Sequence, residues 1–245
     1  INKNLPDLKS SLNNFILNYA RPGKLLGNST FNKYFKSTFW IDKPLSLTAL
    51  NTIPCLQYYF EKYAEFYEFD WFLIASQAYQ ESRFRQNLKS IAGAYGIMQI
   101  KHSTASSKVV DIPHIETLEN NIHAGVKYLA FIRDFYFSTP EYSAEDRINF
   151  SLAAYNAGPG RINKLQREAE ARGLDPNKWF YNVEILARQS IGHETVNYVT
   201  QIQKTMIGVR SSFELSKNKL RIKQEHFKDF ERMEDLQQQE WRNHF

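Results

Sequence analysis

Apolar residues recur along this chain at the three- and four-residue spacing of amphipathic helices. The spacing predicts a first helix from Leu5 to Tyr19, which Pro22 and Gly23 would end. Five further helices are predicted over residues 56–67, 70–81, 120–136, 145–155 and 194–209. Runs of alternating strand pattern bounded by hairpin turns are absent from the sequence. The pattern therefore predicts an all-α fold, or an α+β fold with a minor β part.

The distribution of prolines and charges divides the chain into three zones. Residues 1–55 are mixed and interrupted by prolines, which predicts a helical N-terminal segment followed by irregular chain. Residues 56–210 carry the strongest helical periodicity and form the expected globular domain. Residues 211–245 are charged, contain no glycine or proline, and have a weak apolar face. This last zone is either a helical tail that packs on the rest of the chain or a frayed one.

Composition and charge exclude a few classes of function. The chain is 42% hydrophobic and 23% charged, which is ordinary for a soluble globular domain. Its aromatic content of 15% suits a sugar-binding groove, and suits an aromatic-rich core even better. The net charge of +5 favours anionic surfaces weakly, but no dense run of Lys and Arg indicates a nucleic-acid partner. Scattered histidines and the absence of a phosphate-binding glycine loop predict neither a metal nor a cofactor.

The only cysteine, Cys55, excludes an internal disulfide and is expected to be a small buried apolar residue. The sequence also lacks a run of about 18 apolar residues, the length that a membrane-spanning helix requires.

Glu81 is the residue whose position first suggests chemistry. It falls in the last turn of the helix predicted over residues 70–81, where the helix dipole disfavours a carboxylate. Apolar neighbours disfavour the charge further, so both effects raise the pKa of Glu81. A carboxylic acid that stays protonated near neutral pH can protonate a glycosidic oxygen. Taken alone, however, the position is more typical of a solvated surface acid.

Three further motifs follow Glu81-Ser82 along the chain. Residues 90–100 read SIAGAYGIMQI, where two glycines allow the backbone to approach a ligand closely. Residues 153–160 read AAYNAGPG, which ends a helix with an aromatic ring and an amide at its tip. Residues 194–199 read ETVNYV. In order and spacing, the four motifs together resemble the soluble lytic transglycosylase (SLT) type of catalytic domain, a relative of goose-type lysozyme.

This resemblance covers about residues 60–210 and implies a lysozyme-like helical catalytic domain at residues 56–210. A softer resemblance links residues 1–55 to the segment before the catalytic domain in F-type membrane-bound lytic transglycosylases. That segment closes a periplasmic-binding-protein-like domain, so residues 1–55 are the expected remnant of one. The resemblance implies a periplasmic protein that acts on peptidoglycan glycan strands. It also implies peripheral outer-membrane association through N-terminal parts that this sequence does not contain.

The activity implied by the resemblance is a lytic transglycosylase with one catalytic carboxyl group. Glu81 would protonate the oxygen that links N-acetylmuramic acid to N-acetylglucosamine. As a carboxylate, it would then take the proton of the muramoyl 6-hydroxyl while that oxygen attacks C1, which forms a 1,6-anhydro end without water. Two alternatives stay open: a lysozyme-like muramidase in which water attacks instead, and a glycan-binding scaffold without turnover.

Six residues are expected to bind substrate near Glu81, namely Ser90, Met98, Gln99, Tyr155, Asn156 and Tyr198. Ser90 can bond Glu81 or the sugar, or cap its own loop. Gln99 and Asn156 can hold acetamido groups, and Asn156 can equally cap its own helix. Tyr155 and Tyr198 either flank the cleavage site, with Tyr198 closer to Glu81, or pack in the core. Met98 is expected in the wall of the site.

A second carboxylate is harder to assign. Glycoside hydrolases ordinarily use two carboxyl groups, about 5–10 Å apart. Asp111, Glu116 and Glu119 lie in a polar loop where nothing indicates a catalytic partner. Glu194 matches a family motif, but an acid at the start of a helix is expected to be structural.

Overall fold

The computed structural model describes residues 6–21, 23–24, 28, 31 and 45–243. Contacts divide the chain into two compact units, Ile1–Pro44 and Leu45–Phe245. In the first unit, helix α1 spans Pro6–Phe15 and a π-helical turn continues it over Ile16–Ala20. These elements match the helix predicted up to Tyr19, whereas its predicted first residue, Leu5, lies outside the described residues.

The second unit is built almost entirely of helices. They are α2 (Leu47–Phe66), α3 (Trp71–Ser82), α4 (His102–Ala105), α5 (Leu118–Tyr136), α6 (Ala144–Ala157), α7 (Pro159–Ala171), α8 (Glu184–Ser190) and α9 (His193–Asn243). A kinked π-helical segment, Trp179–Val183, precedes α8. The strands β1 (Ala94–Tyr95) and β2 (Ile100–Lys101) pair antiparallel, with Ala94 opposite Lys101. The predicted all-α class with a minor β part is therefore confirmed.

Side-chain caps set the starts of the long helices. Asp70, where the helix over residues 70–81 was predicted to begin, accepts a hydrogen bond from the Phe72 amide at 2.9 Å and caps α3. Ser46 accepts from the Ala49 amide at 3.2 Å and starts α2 well before the predicted residue 56. Helix α2 consequently crosses position 55, and the second unit begins at Leu45.

Two features of the helical pattern differ from the sequence prediction. Residues 153–160 end a helix as expected, but Pro159 also begins α7 directly after Gly158, whose φ is 93°, and this helix was not predicted. Proline suits the first turn of a helix because its fixed φ is helical and its missing amide has no partner there. Helix α9 continues from His193 to Asn243, so residues 211–243 extend the predicted helix instead of fraying. None of the described helices has the length and apolar character needed to cross a membrane.

The main core lies where α3, α5, α6 and α9 meet. Ile74, Leu129, Leu152 and Val199, one from each helix, are completely or almost completely excluded from solvent. These buried side chains fix the end of α3 against the end of α6 and the start of α9. The three helix ends carry Glu81, Tyr155, Asn156 and Tyr198, whereas Ser90, Met98 and Gln99 lie in the loop between α3 and α4.

The prediction that Cys55 is buried was wrong, because its side chain is exposed. The buried positions of α2 nearby are Ile53, Leu56 and Phe60, which recur three and four residues apart. Cys55 lies off that stripe and faces solvent.

The extended helix α9 contacts the start of α3 through aromatic rings. The Phe213 ring lies 5.4 Å from the Trp71 ring and 5.5 Å from the Phe72 ring. We expect Phe213→Ala to destabilise the protein by about 2 kcal/mol and to lower Tm by about 5 °C, because these contacts are lost. Thermal unfolding followed by circular dichroism measures the change, with exposed Ser211→Ala as the control. An unchanged Tm would mean that this contact contributes no stability.

Candidate active site

Glu81 and Tyr198 form the centre of the site. Glu81 is half-buried in the last turn of α3, and its Oε1 accepts a hydrogen bond of 2.5 Å from the Tyr198 hydroxyl on α9. Burial raises the pKa of Glu81 to about 7, the nearby charge of Glu194 adds to the rise, and the Tyr198 hydrogen bond opposes it. Glu81 is therefore protonated for a large part of the time near neutral pH.

The Ser82 hydroxyl links the following loop to the end of α3 by hydrogen bonds. Its hydroxyl is buried, donates to the Ile97 carbonyl at 2.9 Å, and accepts from the Arg85 amide at 3.1 Å. Arg83 and Gln99 have φ of 56° and 47°, a left-handed conformation that is costly for residues with a side chain. Strained backbone of this kind persists only where the surrounding structure holds it, and it is common at functional sites.

Asn121 on α5 stabilises the loop that follows α3 through buried hydrogen bonds. Its amide is fully buried, accepts from the Met98 amide at 2.9 Å, and donates to the carbonyls of Tyr95 and Ile115 at 3.0 Å each. Gly96 has φ of 81° and lies directly against this amide, so a Cβ at that position would collide with Asn121. The loop can approach α5 this closely because residue 96 is glycine.

Met98 contributes its backbone to the site more than its side chain. The side chain is fully buried, and a Cβ on Gly125 would lie 2.5 Å from the Met98 Cβ. The Met98 carbonyl accepts a hydrogen bond of 2.8 Å from the Tyr155 hydroxyl. The Met98 side chain is thus a packed support behind the site, which leaves its expected contact with substrate without structural support.

Tyr155 and Asn156 lie at the end of α6. The Tyr155 ring packs 5.4 Å from the Tyr128 ring, and burial raises the pKa of Tyr155 well above its ordinary value. Asn156 Oδ1 accepts a hydrogen bond of 2.7 Å from Thr195 Oγ1. This bond joins the end of α6 to the start of α9, and it differs from the expected cap of Asn156 on its own helix.

Ser90 and Gln99 bond mainly to their own loop. Ser90 Oγ accepts from the Ala94 amide at 2.9 Å, which is the loop-capping alternative, and its hydroxyl hydrogen can still be donated. Gln99 Nε2 donates to the carbonyls of Gly96 at 2.8 Å and Leu88 at 3.1 Å. Both side chains therefore shape the loop beside Glu81, and the Gln99 carbonyl oxygen retains acceptor capacity.

Two of the three carboxylates considered as catalytic partners bond elsewhere, and one of them, Glu119, lies in the first turn of α5. Glu119 accepts from Lys62 at 2.6 Å and from Tyr63 at 2.9 Å, and Glu116 lies 3.1 Å from His102. Among the described residues, no group of three or more His, Cys, Asp or Glu side chains could hold a metal ion. The charge of Glu194, which is exposed in the first turn of α9, contributes to the raised pKa of Glu81.

Comparison with known proteins assigns the domain that carries this site. The family model of the transglycosylase SLT domain matches residues 58–177. This part of the chain is an SLT domain. The match contains Glu81 and the ends of α3 and α6, while Tyr198 on α9 follows it.

Three relatives of the SLT domain are each named membrane-bound lytic murein transglycosylase F. The protein of Desulfosudis oleivorans is 31% identical over 73% of this chain and 39% of its own length. That of Vibrio campbellii is 38% identical over 57% of this chain and 25% of its own length. That of Haemophilus influenzae is 30% identical over 89% of this chain and 47% of its own length. The chain thus spans less than half the length of these relatives.

A solved structure resembles the SLT domain as well. The 70 kDa soluble lytic transglycosylase SLT70 of Escherichia coli is similar to 64% of this chain, which corresponds to 24% of the SLT70 chain. The TM-score is 0.50 and the sequence identity is 27%. The similarity agrees with the lysozyme-like helical architecture that the motifs implied.

Several residues that build the SLT-domain site were missed by the sequence analysis, namely Gln77, Asn121, Tyr128 and Thr195. A signal existed for two of them. Gln77 and Asn121 are polar residues on the otherwise apolar faces of α3 and α5, and Gln77 lies four residues before Glu81. A polar residue in an apolar stripe indicates a buried hydrogen bond that is satisfied across helices.

Glu194→Gln tests the electrostatic coupling within the site. The carboxylate of Glu194 helps to raise the pKa of Glu81, so its removal should lower that pKa. We expect the alkaline limb of the pH–rate profile to move to lower pH, with a small change in the maximal rate because Glu194 is exposed. A limb that stays in place or moves upward would contradict this coupling.

Proposed function

We propose that this chain is a peptidoglycan lytic transglycosylase that uses Glu81 as its single acid and base. The observation that carries the proposal is a half-buried carboxyl group with a pKa of about 7 at the end of α3 in an SLT domain. Protonation near neutral pH is what a general acid requires to protonate a glycosidic oxygen. The names of the relatives support murein as the substrate class.

The proposed reaction has two steps. In the first, Glu81 transfers its proton to the oxygen between C1 of N-acetylmuramic acid and N-acetylglucosamine, and the C1–O bond breaks. The acetamido oxygen of the substrate stabilises the positive charge at C1. In the second, the Glu81 carboxylate takes the proton of the muramoyl 6-hydroxyl while that oxygen bonds to C1. Glu81 is protonated again, the product is a 1,6-anhydro end, and no water is consumed.

Tyr198 supports the carboxylate that exists between the two steps. Its hydroxyl already donates to Glu81 Oε1 at 2.5 Å, so no group must reorganise when the negative charge forms. Burial holds the pKa of Tyr198 well above its ordinary value, which keeps the hydroxyl a donor throughout the cycle. The second oxygen, Oε2, is then the one that carries the transferable proton.

The other residues expected to bind substrate can do so through atoms that are not occupied by their hydrogen bonds within the protein. The Asn156 Nδ2 group and the Gln99 Oε1 atom can bond the acetamido groups of the glycan. The Ser90 hydroxyl can donate to a sugar oxygen, and the Tyr155 ring can pack against a sugar face. The relatives' name, membrane-bound lytic murein transglycosylase F, supports a periplasmic location for this chain as well.

The masses of the products test this function. Purified peptidoglycan sacculi are digested with the wild-type chain, and the soluble fragments are analysed by mass spectrometry. We expect fragments that are one water lighter than hydrolysis products, because the 6-hydroxyl replaces water. Reducing ends would identify a muramidase instead, and binding to glycan without released fragments would identify a scaffold.

A further inference from the structure

Gln77 contacts the hydroxyl of Tyr198 from α3, the helix that also carries Glu81. It precedes Glu81 by four residues on α3, so the two side chains leave the same face of the helix. Gln77 Nε2 donates to the Tyr198 hydroxyl oxygen at 3.2 Å, and that hydroxyl donates to Glu81 Oε1 at 2.5 Å. The three side chains form a directed chain of hydrogen bonds from α3 through α9 and back to α3.

The direction of this chain follows from the donors available. A tyrosine hydroxyl has one hydrogen, so when it donates to Glu81 it can only accept from Gln77. If the Gln77 amide were reversed, its Oε1 would compete with Glu81 for the Tyr198 hydrogen. The orientation of one buried amide therefore decides whether Tyr198 is a donor to the catalytic carboxyl group.

Burial makes that orientation matter. Gln77 is completely excluded from solvent and Tyr198 is 5% exposed, so water cannot substitute for either partner. Gln77 Oε1 has no hydrogen-bond partner among the described residues. The bond from Nε2 to the Tyr198 hydroxyl is therefore the contact that orients this buried amide.

We propose that Gln77 is a positioning residue that keeps Tyr198 a donor to Glu81 Oε1, so that the catalytic proton resides on Oε2, facing the glycan. If Tyr198 accepted from Glu81 instead, the proton would lie on Oε1 and be withheld from the glycosidic oxygen. Gln77 thereby supports the acid step through proton placement and the base step through stabilisation of the carboxylate. The inference rests on the proposed function of Glu81.

Gln77→Met tests the inference, because methionine has a similar length and no amide hydrogen. The matched control is Gln166→Met, since Gln166 also donates to a tyrosine hydroxyl, that of Tyr142, at 2.8 Å. Besides each other, Glu81 and Tyr198 have pKa values raised by Glu194 on α9 and Tyr155 on α6 respectively, and both variants keep these two groups. Rates are measured on soluble glycan strands over a range of pH.

For Gln77→Met we expect kcat to fall about tenfold with little change in KM, because one hydrogen bond in the catalytic chain is lost. The alkaline limb should move to higher pH, since a less polarised Tyr198 stabilises the Glu81 carboxylate less. Gln166→Met should show neither effect.

A second variant, Gln77→Glu, keeps the proposal falsifiable if methionine disturbs the fold. While protonated, the new carboxyl group can donate to Tyr198, so activity should approach that of the wild type at acidic pH. Once ionised it can only accept, so activity should fall more steeply as pH rises. If the wild type is active and Gln77→Met has the same rate and the same alkaline limb as Gln166→Met, this inference alone is overturned. An inactive wild type would overturn the proposed function and this inference together.

Discussion

Glu81→Gln is expected to reduce the release of soluble peptidoglycan fragments by about 10³-fold or more. Glutamine keeps the size of the side chain and can still accept from Tyr198, but it has no proton to transfer and cannot act as a base. Because the proposed reaction uses Glu81 as its single acid and base, both of its steps should fail. Fragment release at pH 6, measured beside the wild type, gives the ratio. Equal release by the two proteins would exclude Glu81 as the catalytic group.

The stability of Glu81→Gln at two pH values tests whether this variant is correctly folded. The pKa of Glu81 is raised from 4.5 to about 7 in the folded chain, so folding favours the protonated form. That stabilisation is complete below about pH 4 and is lost as pH rises through 7. Glu81→Gln should therefore be more stable than the wild type at pH 8, by an amount on the order of 3 kcal/mol, and similar to it at pH 4. An inactive variant with a lower Tm at pH 8 would indicate a damaged fold.

Tyr198→Phe should have the next largest effect, a loss of kcat of about 10- to 100-fold. A hydrogen bond to a charged group contributes about 1.5–3 kcal/mol, and here it stabilises the carboxylate that forms when the glycosidic bond breaks. The hydroxyl lowers the pKa of Glu81, so its removal should raise that pKa and move the alkaline limb to higher pH. The pH dependence of kcat measures both effects.

Tyr142→Phe is the matched control for this substitution. It removes the same hydroxyl group from a tyrosine that also accepts from a glutamine, Gln166, but that has no recorded contact with Glu81. Tyr142→Phe should leave the pH profile in place. If Tyr198→Phe were as active as the wild type and its alkaline limb lay at the same pH, the 2.5 Å contact would have no role in catalysis.

The long helices could be predicted from the sequence because their apolar stripes extend over several turns. Helix α3 begins directly after Asp70, the first residue of the predicted helix. The shorter elements lacked such a signal. Helix α8, Glu184–Ser190, follows a kink where Tyr181 has φ of 63°, and seven residues give too little periodicity to recognise. The strands β1 and β2 have two residues each and depend on the loop around them.

The site could be predicted only in part, again because the sequence shows local features and not tertiary contacts. The raised pKa expected for Glu81 agrees with its burial in the structure. The partners of the other residues depend on tertiary contacts: Asn156 bonds Thr195, 39 positions away, and Tyr198 bonds Glu81, 117 positions away. Motifs indicate which residues matter, but they do not indicate which side chains form their hydrogen bonds within the loop. Ser90 and Gln99 illustrate that limit, since both bond mainly to the backbone around them.

The most direct test of the proposed acid–base role is the titration of the Glu81 carboxyl group itself. Carbon-13 NMR of protein labelled at glutamate carboxyl carbons, with Glu81→Gln to assign the signal, gives the midpoint without any substrate. The proposed role predicts a midpoint near pH 7, so that Glu81 can donate a proton and then accept one under the same conditions. A midpoint at the ordinary glutamate value, near 4.5, would mean that Glu81 is ionised before the bond breaks and would contradict its role as the acid.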